Sequence, residues 1–122
     1  MMWRRNEILR TLPEVNSEAE FSMVVLQCKH PVMVVFYSPW CQNSRALSPQ
    51  FLRVSREFGD RVQFVRVNAD AAIDLKRAYD VRLTPTVILF DFGEPVHRWD
   101  NEQEVARYRD ILEHMVAPQQ IL

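Results

Sequence analysis

Val32-Met33-Val34-Val35-Phe36-Tyr37-Ser38-Pro39-Trp40-Cys41-Gln42-Asn43-Ser44 carries the chain from one kind of secondary structure into another. Its first six residues are continuously apolar and rich in β-branched and aromatic side chains, which suits a central strand covered on both faces. Ser38-Pro39 ends the run. From Gln42 onward apolar residues return at Leu47, Phe51, Val54 and Phe58, and Gly59 follows. That spacing predicts a helix over Gln42 to Phe58 with a left-handed stop behind it, and Pro49 inside it predicts a kink. Cys41 therefore stands at a helix N-terminus, where unpaired N–H groups and the helix dipole favour the thiolate, the nucleophilic form of cysteine. A buried and inert core thiol is the alternative that position alone leaves open.

The flanking sequence supplies the other layers. Ser17-Glu18-Ala19-Glu20 reads as a capping box that opens a helix over Glu18 to Lys29, stopped by Pro31. Val62 to Asn68 alternates as a second strand, and Ala71 to Tyr79 reads as a short helix with Asp70 as its N-cap. Thr86 to Asp91 and Pro95 to Trp99 are apolar runs separated by Phe92-Gly93-Glu94, the pattern of an antiparallel hairpin. Asn101-x-x-Glu104 caps a last helix that turns Val105, Tyr108, Leu112 and Met115 inward. Before Ser17, Leu12 to Val15 is expected as a short edge strand and residues 2 to 10 as a loosely helical extension. The order of elements predicts an α/β domain over residues 12–117, with an extension at 1–11 and a tail at 118–122.

At 122 residues the chain is long enough for one core and too short for two. Its 48% hydrophobic content and 2 glycines exclude disordered and low-complexity classes. Lys plus Arg total 15 against 16 Asp plus Glu, and that net charge of -1 gives no electrostatic reason to bind nucleic acid or anionic lipid. Trp3, Trp40 and Trp99 have no basic stripe beside them and do not form a stacking platform. No apolar run is long enough to span a membrane, and Met1 to Leu12 lacks the apolar run of a signal peptide, so a cytoplasmic chain is expected. Cys28 precedes the strand whose far end carries Cys41, a separation of about 20 Å where a disulfide needs about 7 Å. Cys28 therefore reads as packed core. His30, His97 and His114 are scattered, so neither a metal site nor a cofactor is expected.

The runs Phe36-Tyr37-Ser38-Pro39-Trp40-Cys41, Ala46-Leu47-Ser48-Pro49-x-Phe51, Tyr79-Asp80-Val81 and Thr84-Pro85-Thr86-Val87 resemble the thioredoxin superfamily. They are closest to thioredoxin and protein-disulfide-isomerase-type catalytic domains, and the resemblance covers residues 12 to 116. It implies a thioredoxin fold, with a central mixed sheet of four to five strands flanked by helices on both faces. It also implies that Cys41 is a nucleophile and that Pro85 is cis beside it, with the preceding backbone at Thr84 presented to an extended substrate. Trp40, Gln42, Asn43, Thr84, Pro85 and Asp100 then border the substrate groove.

The same resemblance exposes three departures. Ser44 stands where the family has its second, resolving cysteine, and a hydroxyl cannot expel a substrate from a mixed disulfide. Ser44 is left to donate a hydrogen bond to the thiolate one turn away, or to sit as a solvated helix-start serine. Val35 occupies the place of a buried carboxylate that helps move protons. Arg66, matching a position that often carries that carboxylate's lysine partner, is expected to snorkel to solvent or to lend charge to Cys41. Asp100-Asn101 replaces a glycine that lines the groove. Two functions follow: a monothiol exchange protein whose Cys41 forms mixed disulfides with protein thiols or disulfides or with glutathione, and a non-catalytic binding or assembly module on the same fold.

Overall fold

The computed structural model describes residues 12–101 and 105–116. Its central element is β1 (Val32–Tyr37), buried at every position. The reason is its place in the sheet: β1 pairs in parallel with β2 (Gln63–Asn68) on one side. On the other side it pairs antiparallel with β3 (Thr86–Asp91), which forms a hairpin with β4 (Glu94–Asp100). The sheet order is β2-β1-β3-β4.

Alternation along β1 feeds two separate cores. Met33, Val35 and Tyr37 face α2 (Gln42–Phe58) and α4 (Val105–Met115), packing with Leu47, Phe51, Val54, Tyr108 and Leu112. Val32, Val34 and Phe36 face the opposite layer, made by α1 (Glu18–Phe21) and α3 (Ile73–Ala78). A period of two therefore produces an unbroken apolar run, because both faces of the strand are covered. In the second core Phe21, Tyr79 and Phe90 form an aromatic triangle, with ring centroids 5.3 to 5.5 Å apart. The β3–β4 turn needs positive φ at both Phe92 and Gly93. A Cβ on Gly93 would lie 2.7 Å from the carbonyl oxygen of Leu26, so this turn also fixes the α1 layer against the hairpin.

Several sequence expectations are corrected. The first helix does not run to Lys29: its α-helical part ends at Phe21 and a π-helical turn follows over Ser22–Leu26. There Gln27 N–H donates to the Ser22 carbonyl at 3.0 Å, and the wider turn buries Val25 while leaving Met23 and Leu26 exposed. The capping box is present, with Ser17 Oγ accepting from Glu20 N–H at 3.2 Å. The third helix is shorter than Ala71 to Tyr79, and Asp70 does not cap it; Ala72 is its N-cap, with no side-chain bond. Leu12 to Val15 makes a single parallel bridge at Glu14 to Arg66 rather than a strand. α2 spans Gln42–Phe58 as its apolar spacing predicts, with Pro49 inside it. The expected 1–11 extension, the 118–122 tail and Glu104 of the last cap lie outside the described residues.

Candidate thiol site at the end of the central strand

β1 delivers the chain to a tight turn, closed by Cys41 N–H donating to the Ser38 carbonyl at 3.0 Å. Cys41 is the N-cap of α2, and its own carbonyl accepts from Arg45 N–H at 3.0 Å. Its side chain is half-buried and its Sγ lies 3.3 Å from the Thr84 carbonyl oxygen. Thr84 precedes the cis Thr84–Pro85 peptide, which places a buried proline beside the cysteine. The Ser38 and Thr84 hydroxyls share a hydrogen bond at 3.2 Å, and Ser38 N–H donates to Ser44 Oγ at 3.2 Å. The Thr84 and Ser44 hydroxyls both reach the sulfur, and Ser38 ties the two together.

Ser44 is 2% exposed, so it is not the solvated helix-start serine that its sequence position allows. Burial pushes the Cys41 thiol up. Hydrogen bonds from the Ser44 and Asn43 backbone N–H groups and from the Thr84 and Ser44 hydroxyls favour the thiolate, and together they hold its pKa below the ordinary thiol value. The S–H bond to the Thr84 carbonyl favours the neutral thiol, but a thiol is a weak donor and this contact is outweighed. Cys28 lies against the second core, away from this end of β1, and both cysteines are free.

The groove residues are placed as follows. Trp40 is 72% exposed, and its indole N–H donates to Asp70 Oδ2 at 2.5 Å; this bond takes the carboxylate that the sequence assigns to a helix cap. Gln42 and Asn43 are exposed in the first turn of α2. The Asp100 carboxylate is occupied by Thr86 Oγ1 at 3.3 Å and Arg98 Nε at 3.0 Å. The residue of that loop that touches the α2 start is Asn101, whose Oδ1 accepts from Asn43 Nδ2 at 3.3 Å and whose backbone N–H donates to the Pro85 carbonyl at 2.8 Å. Among the described residues, no group of three or more His, Cys, Asp or Glu side chains is placed to hold a metal ion.

Arg66 does not snorkel to solvent and has a partner after all. Its guanidinium meets Glu14 Oε1 at 2.7 Å, donates to the Leu12 carbonyl at 3.0 Å and donates to the Tyr37 hydroxyl at 3.0 Å. Tyr37 donates in turn to Glu14, whose other oxygen accepts from Asn16 Nδ2 at 2.7 Å. Burial, then the Glu14 hydrogen bond, push the Tyr37 hydroxyl up to about 12. This network and α2 share a cavity of about 10 Å³ lined by Val35, Tyr37, Ser44 and Arg66 among others. No local sequence signal pairs Glu14 with Arg66, because the two meet only through a bridge between segments remote in sequence.

Removing one member of this cluster leaves a charge with too few partners. Arg66→Met should cost about 2 kcal/mol, below the roughly 3 to 5 kcal/mol of a fully buried pair because Glu14 keeps some solvent. Adding Glu14→Gln to it should recover part of that loss in a denaturant titration.

A cysteine capping a helix behind a central strand, against a cis-proline loop, on a four-stranded mixed sheet, defines a thioredoxin-fold thiol protein. The Thioredoxin family model matches residues 13–115, and the chain belongs to the thioredoxin family. Among curated relatives it is 29% identical to thioredoxin Y, chloroplastic, of Oryza sativa subsp. japonica over 97 residues, 80% of this chain and 58% of that protein. It is 32% identical to thioredoxin 1 of Synechococcus elongatus over 80 residues, 66% of this chain and 75% of that protein. The chain spans 40% to 65% of the length of the chloroplast relatives from rice, Chlamydomonas reinhardtii and Arabidopsis thaliana. Mitochondrial thioredoxin 3 of Saccharomyces cerevisiae, solved in its oxidised form, superposes with a TM-score of 0.79 at 17% identity, covering 88% of this chain and 98% of that one.

Proposed function

We propose that this chain is a monothiol thiol–disulfide exchange protein. The observation that carries this reading is the pairing of a thiol held toward its thiolate form with a buried serine one turn along α2. The Cys41 thiolate attacks one sulfur of a partner disulfide R–S–S–R′, forming Cys41–S–S–R and releasing R′–S⁻, which takes a proton from solvent. Ser44 cannot attack that mixed disulfide. An external thiolate of the glutathione class, or a second thiol on the partner, attacks the R sulfur and Cys41 leaves as thiolate; attack at Cys41 Sγ instead releases R–S⁻ and leaves Cys41 disulfide-bonded to the attacking thiol, until a further thiolate attacks that thiol's sulfur and frees Cys41. No net oxidant is consumed, since each step exchanges one disulfide for another.

The substrates of this reading are protein disulfides and glutathione disulfide, and the groove between Trp40 and the Thr84–Pro85 loop is where they dock. Membership of a family of thioredoxins supports exchange chemistry, and the departure at Ser44 supports the monothiol form. Trp40, Ile73 and Leu83 are exposed hydrophobics, and they favour a non-covalent docking module as the second reading.

The test is the pH dependence of alkylation at Cys41, resolved from Cys28 by peptide mass spectrometry. Because the thiolate is the reactive form, a lowered pKa moves the rise in rate to lower pH, and its midpoint should fall below about 8.5. Mixing the protein with oxidised glutathione should give an adduct at Cys41 that dithiothreitol releases, and Cys41→Ser should give none at that site. A midpoint at or above the ordinary value with no adduct would move the assignment to the docking module.

A further inference from the structure

Thr84, Pro85, Asn101 and Asn43 close a ring of contacts with Cys41. Cys41 Sγ meets the Thr84 carbonyl at 3.3 Å, and the next carbonyl, of Pro85, accepts from Asn101 N–H at 2.8 Å. The Asn101 side chain then accepts from Asn43 Nδ2 at 3.3 Å, which returns to the α2 turn that carries Cys41. On its other flank the α2 start is tied by Trp40 to Asp70 at 2.5 Å. Asn101 holds a φ of +58, a backbone region that glycine enters freely and that asparagine tolerates best among residues with side chains. Asparagine there adds an amide that spans to the facing loop, where glycine would leave the passage open.

We infer that the Asn43–Asn101 bridge is a side-chain clasp across one flank of the thiol groove, and that it makes Cys41 selective for small disulfides of the glutathione kind over protein disulfides. The inference rests on the exchange reading, whose substrate class it narrows. An extended protein segment that lies along the Thr84–Pro85 loop meets the clasp and must break it. A tripeptide disulfide entering between the clasp and Trp40 does not. The bond is one neutral amide contact at the surface, so breaking it discriminates by a modest factor, about threefold to tenfold.

The experiment compares wild type, Asn101→Gly, Asn43→Ala and the double variant. Asn101→Gly suits the positive φ, and both sites are exposed, so folding is expected to survive, with circular dichroism and denaturant midpoint as controls. The first readout is the rate of Cys41 modification by a polyethylene-glycol maleimide divided by the rate with iodoacetamide, which needs no disulfide chemistry. Dividing by the small reagent removes any change in the thiol's own reactivity. Each single variant should raise this ratio about threefold to tenfold, and the double variant should add little, because both remove one bond.

The second readout is adduct formation with a disulfide-containing protein, insulin, relative to oxidised glutathione, and it should rise with the first. An unchanged ratio in both single variants, or full additivity in the double, overturns the clasp. A raised ratio with no adduct from either disulfide in any variant keeps the clasp, removes its disulfide selectivity and overturns the exchange reading beneath it.

Discussion

Phe90→Ala should cost about 3 to 5 kcal/mol, a large part of the roughly 5 to 15 kcal/mol that holds a domain of this size together. Phe90 is fully buried in β3, opposite Val32 of β1, and its ring meets Phe21 edge-on at 5.5 Å and Tyr79 at 5.4 Å. Truncation removes the transfer free energy of the ring and leaves a cavity between the sheet and the short α1 segment, one α-turn followed by one π-turn. That segment cannot collapse far without uncovering Phe21 and Val25. A large drop in the urea midpoint at constant slope is the expected result. A loss below about 1 kcal/mol would mean that the α1 layer repacks freely and that the aromatic triangle contributes little.

The same residues explain which parts of the fold were legible in the sequence. Val32 to Tyr37 was readable as a central strand because burial on both faces removes polar residues from every position, a signal within six consecutive residues. The hairpin was legible from its turn, since Phe92-Gly93 follows the buried run of β3; β4 behind it is exposed at all but one position and carries His97 and Arg98. The first helix is shorter than its spacing predicts because Val24, Val25 and Cys28 continue a helical spacing after Phe21, and nothing in that spacing distinguishes an α-turn from the π-turn that replaces it.

Asp70 had the composition and place of an N-cap, yet its carboxylate is claimed by Trp40, thirty residues earlier. Arg66 had no visible partner because Glu14 is brought to it by one parallel bridge. Asn101 over Pro85 is likewise set by the register of β3 against β4. The cysteine and its cis-proline neighbour were therefore legible from motifs. The side chains that tune and border them come from pairings between distant segments, which local sequence does not encode.

Under the proposed monothiol exchange, Ser44→Cys should convert a persistent mixed disulfide into a transient one. Ser44 lies one helical turn after Cys41, and residues so spaced at a helix start fall within the range of about 4.4 to 6.8 Å between Cα atoms that a disulfide accepts. The introduced thiolate attacks Cys41 Sγ, the substrate thiolate leaves, and an intramolecular disulfide remains for a dithiol reductant to open. Making that attack intramolecular replaces a search for an external thiol, and release of a preformed substrate adduct should accelerate by about 100-fold or more.

The substitution is not free of cost. Ser44 Oγ accepts from Ser38 N–H at 3.2 Å, sulfur accepts poorly, and about 1 kcal/mol of stability should be lost. Val35 places no carboxylate behind the introduced thiol, and the Tyr37 hydroxyl and Arg66 guanidinium across the shared cavity are not proton acceptors, so its deprotonation depends on solvent. The acceleration should therefore grow with pH toward the introduced thiol's own pKa, and quenched-flow gels across pH 6 to 9 resolve it. An adduct that persists in Ser44→Cys as long as in the wild type, at every pH, would mean that the buried position holds the introduced thiol out of line with the Cys41 disulfide. Ser44 would then be a packing residue under the thiol rather than the vacated place of a resolving group.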